Sequence, residues 1–212
     1  GVVNGSSRKL ELKPVTAKNG KQTITGKIEA WGEIGLAVKA YDYMDNTTNI
    51  YGVKDITLRQ DSQIIYHSNL DRFAFDETRY LNSYVDYEEW KERRSFYMRS
   101  FVEPGNRLRF NESINRGIIH IEEEKTYHLT YTLADAFGNT TRLSVWIEGK
   151  EQEIPEIETE GTELFHWMAD NRFGAKGIRM TIPKGNLYDD LYFRYSVKED
   201  STALADTHIL HN

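Results

Sequence analysis

The sequence predicts a mainly β protein: an immunoglobulin-like antiparallel β-sandwich with one short inserted helix, followed by a smaller second β domain. Three observations support this prediction. Short segments alternate between apolar and polar residues, turn residues separate these segments at regular intervals, and tyrosine is frequent, with 13 in 212 residues. Only one segment of the chain has the pattern of a helix.

Four regions follow from this pattern. Residues 1–22 are polar and are expected to form a loose lead-in. A β-sandwich domain is predicted for residues 23–150, an acidic linker for 151–163, and a second β domain, expected to be incomplete, for 164–212. The last region has only about 50 residues, which is below the size at which a sandwich ordinarily folds alone.

The predicted strands are those segments in which apolar residues recur at every second position. In the first domain they span residues 23–31, 36–43, 52–60, 62–67, 117–122, 126–133 and 140–148. The last two are predicted to form an antiparallel hairpin, because a turn sequence at residues 135–139 separates them. In the second domain, strands are predicted at 177–182 and 191–197.

The single helix is predicted near residues 86–99. Asp86 is placed as the N-cap and Glu89 three positions later, which is the pattern of a capping box. Val85 and Trp90 occupy the two positions of a hydrophobic staple.

Composition excludes several classes of function. The net charge of −6 argues against nucleic-acid binding, which requires a basic surface. No apolar run approaches the roughly 20 residues that span a bilayer, so no membrane span is expected. The chain has no cysteine, which excludes disulfides and cysteine metal sites.

One histidine has a spacing that metal sites use. His166 and Asp170 lie four residues apart, although a zinc site needs at least one further ligand at a readable spacing. The alternative is a loop histidine near the start of a domain, and the sequence favours that interpretation. We therefore expect no metal, no cofactor and no catalytic residue in this chain.

Four aromatic residues are the candidate contacts with a glycan or a protein partner. Trp146 falls on the polar face of its predicted strand, and Trp31, Tyr41 and Tyr43 are likewise out of phase with the apolar face. An exposed aromatic ring on a sheet can stack on a sugar or dock a partner. The alternative is that the helix or the neighbouring domain covers these rings.

Six short stretches together resemble a known family. They are AYDYMD at 40–45, NIYGV at 49–53, RYLNS at 79–83, DYEEW at 86–90, FVEPGN at 101–106 and DAFGNT at 135–140. They resemble the region downstream of the catalytic domain in large lysostaphin-type zinc endopeptidases of Gram-negative bacteria. The resemblance covers roughly residues 23–212.

This resemblance implies a non-catalytic accessory module of a peptidoglycan peptidase of the periplasm or cell envelope, which positions the enzyme or binds its substrate. The implied partners are the catalytic domain of the same polypeptide and peptidoglycan. The zinc motifs of the family, an H-x(n)-D and an H-x-H, are not found in this sequence. The zinc ligands are thus expected outside this chain, which would be a fragment of a larger enzyme.

Two further functions remain open at this point. One is a structural or adhesion module of immunoglobulin-like type without any peptidase, which long exposed sheet edges would favour. The other is an independent hydrolase, which would require a buried carboxylate pair in a cleft. An exposed aromatic platform would instead favour the binding module.

Overall fold

The fold is mainly β, as the sequence predicts. The structure is a computed structural model and describes residues 1–18, 20–43, 50–198 and 207–211. Strands far exceed helices, and the longest of them form a curled, sandwich-like sheet. The chain divides into two compact units, one of residues 1–102 and 107–155 and the other of residues 103–106 and 156–212.

The first unit contains the longer strands and the helices. Its strands are β1 (Val2–Val3), β2 (Pro14–Thr16), β3 (Gln22–Ile24), β4 (Glu29–Ile34), β5 (Ala37–Val38), β6 (Asp42–Tyr43), β7 (Ile50–Tyr51), β8 (Asp55–Gln60), β9 (Gln63–Asn69), β10 (Met98–Arg99), β11 (Asn111–Ser113), β12 (Ile119–Ile121), β13 (Thr126–Ala134) and β14 (Thr140–Gly149). Its helices are α1 (Leu81–Tyr84), α2 (Tyr87–Arg93) and two 3₁₀ turns, Phe75–Tyr80 and Asn115–Gly117.

The main sheet runs in the order β1-β4-β14-β13-β8-β9-β11, and β3, β2 and β12 attach to its β4–β14 side. Most pairs are antiparallel, but β14 pairs in parallel with both β3 and β4. The predicted sandwich-like, mainly β fold is thus confirmed, and these two parallel pairs are the departure from its antiparallel pattern. Parallel neighbours need a long connection, and here the intervening strands provide it.

The core lies on one face of this sheet. Along β13 every second residue is buried, and the same alternation in β8 and β14 directs apolar side chains to that face. The core consists of Ile28, Ala30, Ile34, Val38, Val53, Ile56, Leu58, Ile65, Tyr66, Tyr84, Met98, Leu108, Ile119, Ile121, Tyr127, Leu129, Tyr131, Leu133, Val145 and Ile147. Among the described residues, every buried side-chain polar atom has a hydrogen-bond partner.

The N-terminal region differs from its prediction. Residues 1–22 are not a loose lead-in, because β1 pairs with β4 and β2 pairs with β3. Val2, which is only 1% exposed, supplies the apolar side chain that anchors β1. The strand predicted at 23–31 is broken at Gly26, whose φ of +100° lies outside the range of a regular strand.

The helical region is shorter and more divided than predicted. Instead of one helix at 86–99, the structure has α1 and α2, and α2 ends where Arg94 adopts a left-handed conformation. The predicted cap is confirmed, since the Asp86 carboxylate accepts a hydrogen bond from the backbone N–H of Glu89. Trp90 is only half-buried and contacts the rings of Tyr87 and Phe96.

The second unit is built from short antiparallel strands. They are β15 (Thr162–Phe165), β16 (Asn171–Ala175), β17 (Ile178–Ile182), β18 (Leu191–Lys198) and β19 (Thr207–His211). Strands β15, β18 and β19 form one sheet, and β16 pairs with β17. The predicted strands at 177–182 and 191–197 are confirmed, and β15 begins inside the predicted linker of 151–163. Phe165 and Phe193 stack in the centre of this unit, with ring centroids 4.8 Å apart.

Candidate functional site

The solvent-facing side of β8, β13 and β14 is the candidate functional site, which we call the outer face. In β13, Leu129, Tyr131 and Leu133 point into the core, so the residues between them point outward. The outer face presents hydroxyl groups next to one another, because Thr130 lies opposite Ser144 and Thr132 opposite Thr57. A surface with neighbouring hydroxyls is suited to a polar ligand.

Trp146 is the exposed aromatic ring of the outer face. Its side chain is 51% exposed, whereas its strand neighbours Val145 and Ile147 are buried. The indole stacks on the imidazole of His128, with ring centroids 3.9 Å apart and an angle of 16° between the planes. The two residues lie directly opposite each other across the β13–β14 ladder. The alternative of a fully buried ring therefore does not hold for Trp146.

The stack gives the indole a fixed orientation. The ring of His128 is half-buried, and its Nε2 lies 3.4 Å from the Oγ1 of Thr130. An aromatic pair of this kind contributes about 0.5–1.5 kcal/mol beyond simple burial. One face of the indole is thus covered by His128, while half of the side-chain surface remains open to solvent. A fixed aromatic ring binds a flat ligand with less loss of side-chain entropy than a mobile one.

Charged residues lie on both sides of Trp146 along β14. Arg142, four residues before it, is exposed, and its guanidinium makes no hydrogen bond or ion pair within the described parts of the chain. Glu148, two residues after it, accepts hydrogen bonds from the Thr126 hydroxyl at 2.9 and 3.0 Å. The outer face therefore has a free cation at one end of β14 and a hydrogen-bonded anion at the other.

A hydrogen-bonded network continues on β8 and β9. Nε2 of His67 lies 2.7 Å from Oδ2 of Asp55, and the hydroxyl of Thr57 donates to Oδ1 of the same carboxylate at 3.3 Å. A nucleophilic hydroxyl needs a hydrogen bond to its base, which would be the imidazole. Thr57 instead bonds the carboxylate, so this arrangement does not activate the hydroxyl. We interpret it as a structural network that fixes the edge of the outer face.

The other three aromatic candidates do not join Trp146. Trp31 lies opposite Val2 in the β1–β4 pair and packs, half-buried, against the core. Strand phase alone therefore does not make Trp31 freely exposed, because the side chain packs partly buried against the core. Tyr41 is half-buried, with Nζ of Lys39 5.8 Å from its ring centroid. For Tyr43 the structure describes only the backbone, which pairs with β7. The side chain of Tyr43 is not among the described parts.

His166 does not pair with Asp170. Its Nδ1 lies 3.2 Å from Oδ2 of Asp190, while Asp170 accepts a hydrogen bond from the backbone N–H of Lys184. The loop is fixed by Asn171, which is buried and bonds both the N–H and the carbonyl of His166. No group of three or more potential metal ligands occurs within the described ranges.

A groove on the first unit also contains charged residues. Its central feature is Glu77, whose carboxylate receives two parallel hydrogen bonds from the Arg109 guanidinium, each 2.9 Å long. Arg109, together with the N–H of Ala74, holds the pKa of Glu77 down at about 2. The backbone N–H of Arg109 also donates to this carboxylate. This ion pair joins residues 74–77 to residue 109, and we interpret it as structural.

Sequence reasoning identified Trp146 but not its partner His128. The signal for His128 was present in the predicted hairpin. Residues Ala134 and Thr140 close the β13–β14 turn, and counting six positions outward along each strand pairs His128 with Trp146.

Comparisons with known proteins give one partial match. A family model described as the Zu5-like domain matches residues 162–212, which form most of the second unit. Neither the curated proteins nor the solved structures contain a match to this chain. The match covers about a quarter of the sequence and carries no information about the outer face. In the described part of the chain, no helix is long and apolar enough to cross a membrane.

Proposed function

We propose that this chain is a non-catalytic accessory module of a cell-envelope peptidase and that it binds the glycan of peptidoglycan through its outer face. The observation that carries the proposal is the exposed indole of Trp146, held flat by His128 beside a row of hydroxyls. Exposed aromatic rings stack on the apolar faces of sugars, and neighbouring hydroxyls exchange hydrogen bonds with sugar hydroxyls. The resemblance to the region that follows lysostaphin-type catalytic domains supports peptidoglycan as the glycan.

The chemistry of the outer face supports binding over hydrolysis. Its carboxylates, Asp55 and Glu148, are held by the hydroxyls and the imidazole described above, and the face is an open sheet. Hydrolysis of a glycosidic bond would require two carboxylates on opposite sides of the bond within a cleft. The outer face has the form of a binding platform.

The alternative, a structural or adhesion module that assembles through sheet edges, has less support. The strands at the two ends of the main sheet order are short: β1 has two residues and β11 has three. Short edge strands offer few unpaired backbone groups for another chain.

The test is retention of the purified chain on insoluble peptidoglycan. We expect the parent to be retained and Trp146→Ala to lose affinity by at least about tenfold, as for a central aromatic contact. Phe75→Ala is the matched control, because Phe75 is 96% exposed and lies on a 3₁₀ turn outside the outer face. Binding that rests on stacking should change little with ionic strength.

Equal losses in Trp146→Ala and Phe75→Ala would indicate nonspecific apolar adsorption, and no retention of the folded parent would remove the proposal. Circular dichroism of each variant establishes that the β fold is retained. Ordered self-association of the parent without glycan binding would favour the structural module.

A further inference from the structure

We infer that the outer face selects a glycan that carries a carboxylate, and that Arg142 is the residue that recognises it. The inference rests on the proposed function, since it takes Trp146 as the stacking platform. It adds the chemical class of the ligand and the direction in which the ligand lies.

Arg142 is the cation of the outer face that is available to a ligand. It is exposed and unpaired within the described residues, and it projects from the same side of β14 as Ser144 and Trp146. Arg59 also lies on this face, opposite Thr130, but its guanidinium donates to the carbonyl of Ser62 at 3.1 Å. A guanidinium binds a carboxylate through two parallel hydrogen bonds, which makes Arg142 a specific acceptor of that group.

The distance from Trp146 fits an extended ligand. Four residues of a strand span about 13 Å, so Arg142 lies farther from the indole than the width of a single sugar ring. Ser144, on β14 between them, and Thr130, opposite Ser144 on β13, present hydroxyls along this path. A ligand that stacks on Trp146 and follows β14 toward Thr140 would reach the guanidinium with a neighbouring sugar.

The opposite direction is unfavourable for an anion. Glu148 lies two residues beyond Trp146 on the same side of β14, and its carboxylate accepts hydrogen bonds from the Thr126 hydroxyl. Like charges at close range repel, whereas Arg142 attracts the same group. The two charges therefore orient an acidic glycan along β14, with its carboxylate at the Arg142 end.

Two soluble glycans of matched length test this inference. One is a neutral chain of N-acetylglucosamine, and the other is a peptide-free glycan strand in which alternate sugars carry a lactyl carboxylate. Calorimetry with the full chain should give tighter binding of the acidic strand, and the difference should decrease as salt is raised. Free stem peptide is a third ligand, and tighter binding of it than of the acidic strand would place the recognised carboxylate on peptide and overturn the inference.

Arg142→Gln should reduce affinity for the acidic strand by about two- to fivefold, as for an exposed ion pair, and leave affinity for the neutral chain unchanged. Arg142→Lys should retain part of the preference, and Glu148→Gln should not weaken acidic binding. If Trp146→Ala abolishes binding while Arg142→Gln leaves the preference intact, the inference is wrong and the proposed function stands. If neither glycan binds the parent, the proposed function fails and the inference fails with it.

Discussion

The two faces of the β13–β14 hairpin are made by the same strands but have opposite surroundings. On the inner face, Leu129 is completely buried and Tyr131 is 3% exposed. On the outer face, the intervening His128 and Thr130 are half-buried, and Trp146 is half exposed. The difference shows that packing determines the residues of one face, while the other face can take residues suited to a ligand without disturbing the core.

The largest expected loss of stability comes from a substitution on the inner face. A substitution at the neighbouring position on the outer face gives the comparison. Leu129→Ala should lower the free energy of unfolding by roughly 2–5 kcal/mol, because it leaves a cavity in the core. Thr130→Ala should change it by no more than about 0.5 kcal/mol. Urea unfolding measures both values, and equal costs would contradict the distinction between the faces.

A smaller loss of stability is expected when the buried hydroxyl on the inner face is removed. The hydroxyl of Tyr131 donates to Oγ of Ser100 at 2.8 Å, and burial raises the pKa of this tyrosine. Tyr131→Phe should therefore lower the free energy of unfolding by about 0.5–1.5 kcal/mol, the net contribution of one hydrogen bond.

The double variant with Ser100→Ala is the control for this hydrogen bond. Because the two side chains are in contact, the double variant should be less destabilised than the sum of the two single variants. Simple additivity would show that the hydroxyls do not interact.

The smallest effect concerns the turn that joins the two strands. Asp135 accepts hydrogen bonds from the Asn139 side chain and from the backbone N–H groups of Phe137 and Asn139, and the first of these is the largest cause of its lowered pKa. A carboxyl whose pKa is lower in the folded protein than in the unfolded chain stabilises the fold at pH values above its pKa in the unfolded chain. This contribution is lost as the pH falls through its pKa in the folded protein.

Acidification below the usual range of an aspartate carboxyl should therefore weaken the turn, because Asp135 then gains its proton. The measurement is an NMR titration of the Phe137 and Asn139 amides, which should shift together as Asp135 gains its proton. Asp135→Asn should lack this titration. Amide shifts that persist in Asp135→Asn would assign the titration to another group.

The parts of the fold that the sequence predicts well are those set by local pattern. The predicted hairpin strands, 126–133 and 140–148, differ from β13 and β14 by a single residue at one end of each. The N-cap at Asp86 follows from four consecutive positions. Alternation and capping each depend on a few neighbouring residues, so a single sequence contains the information.

The parts that were missed depend on distant residues or on backbone conformation. The pairing of β1 with β4 and the parallel pairing of β14 are contacts between remote segments, which alternation cannot assign. The end of α2 at Arg94 has no glycine to mark it. For the candidate site, strand phase placed Trp146 outward, but the same phase does not leave Trp31 freely exposed, because that side chain packs against the core.

The position of β14 between β13 and β4 has a consequence for synthesis of the chain. Strand β4 leaves the ribosome before its partner at Glu148 and Gly149, which follows roughly 120 residues later. At ordinary translation rates this delay is about 6 to 24 s, during which the apolar residue Ala30 lacks its neighbour on β14. We therefore expect nascent chains that stop before residue 140 to bind chaperones, and release to coincide with emergence of the last strand of the first unit.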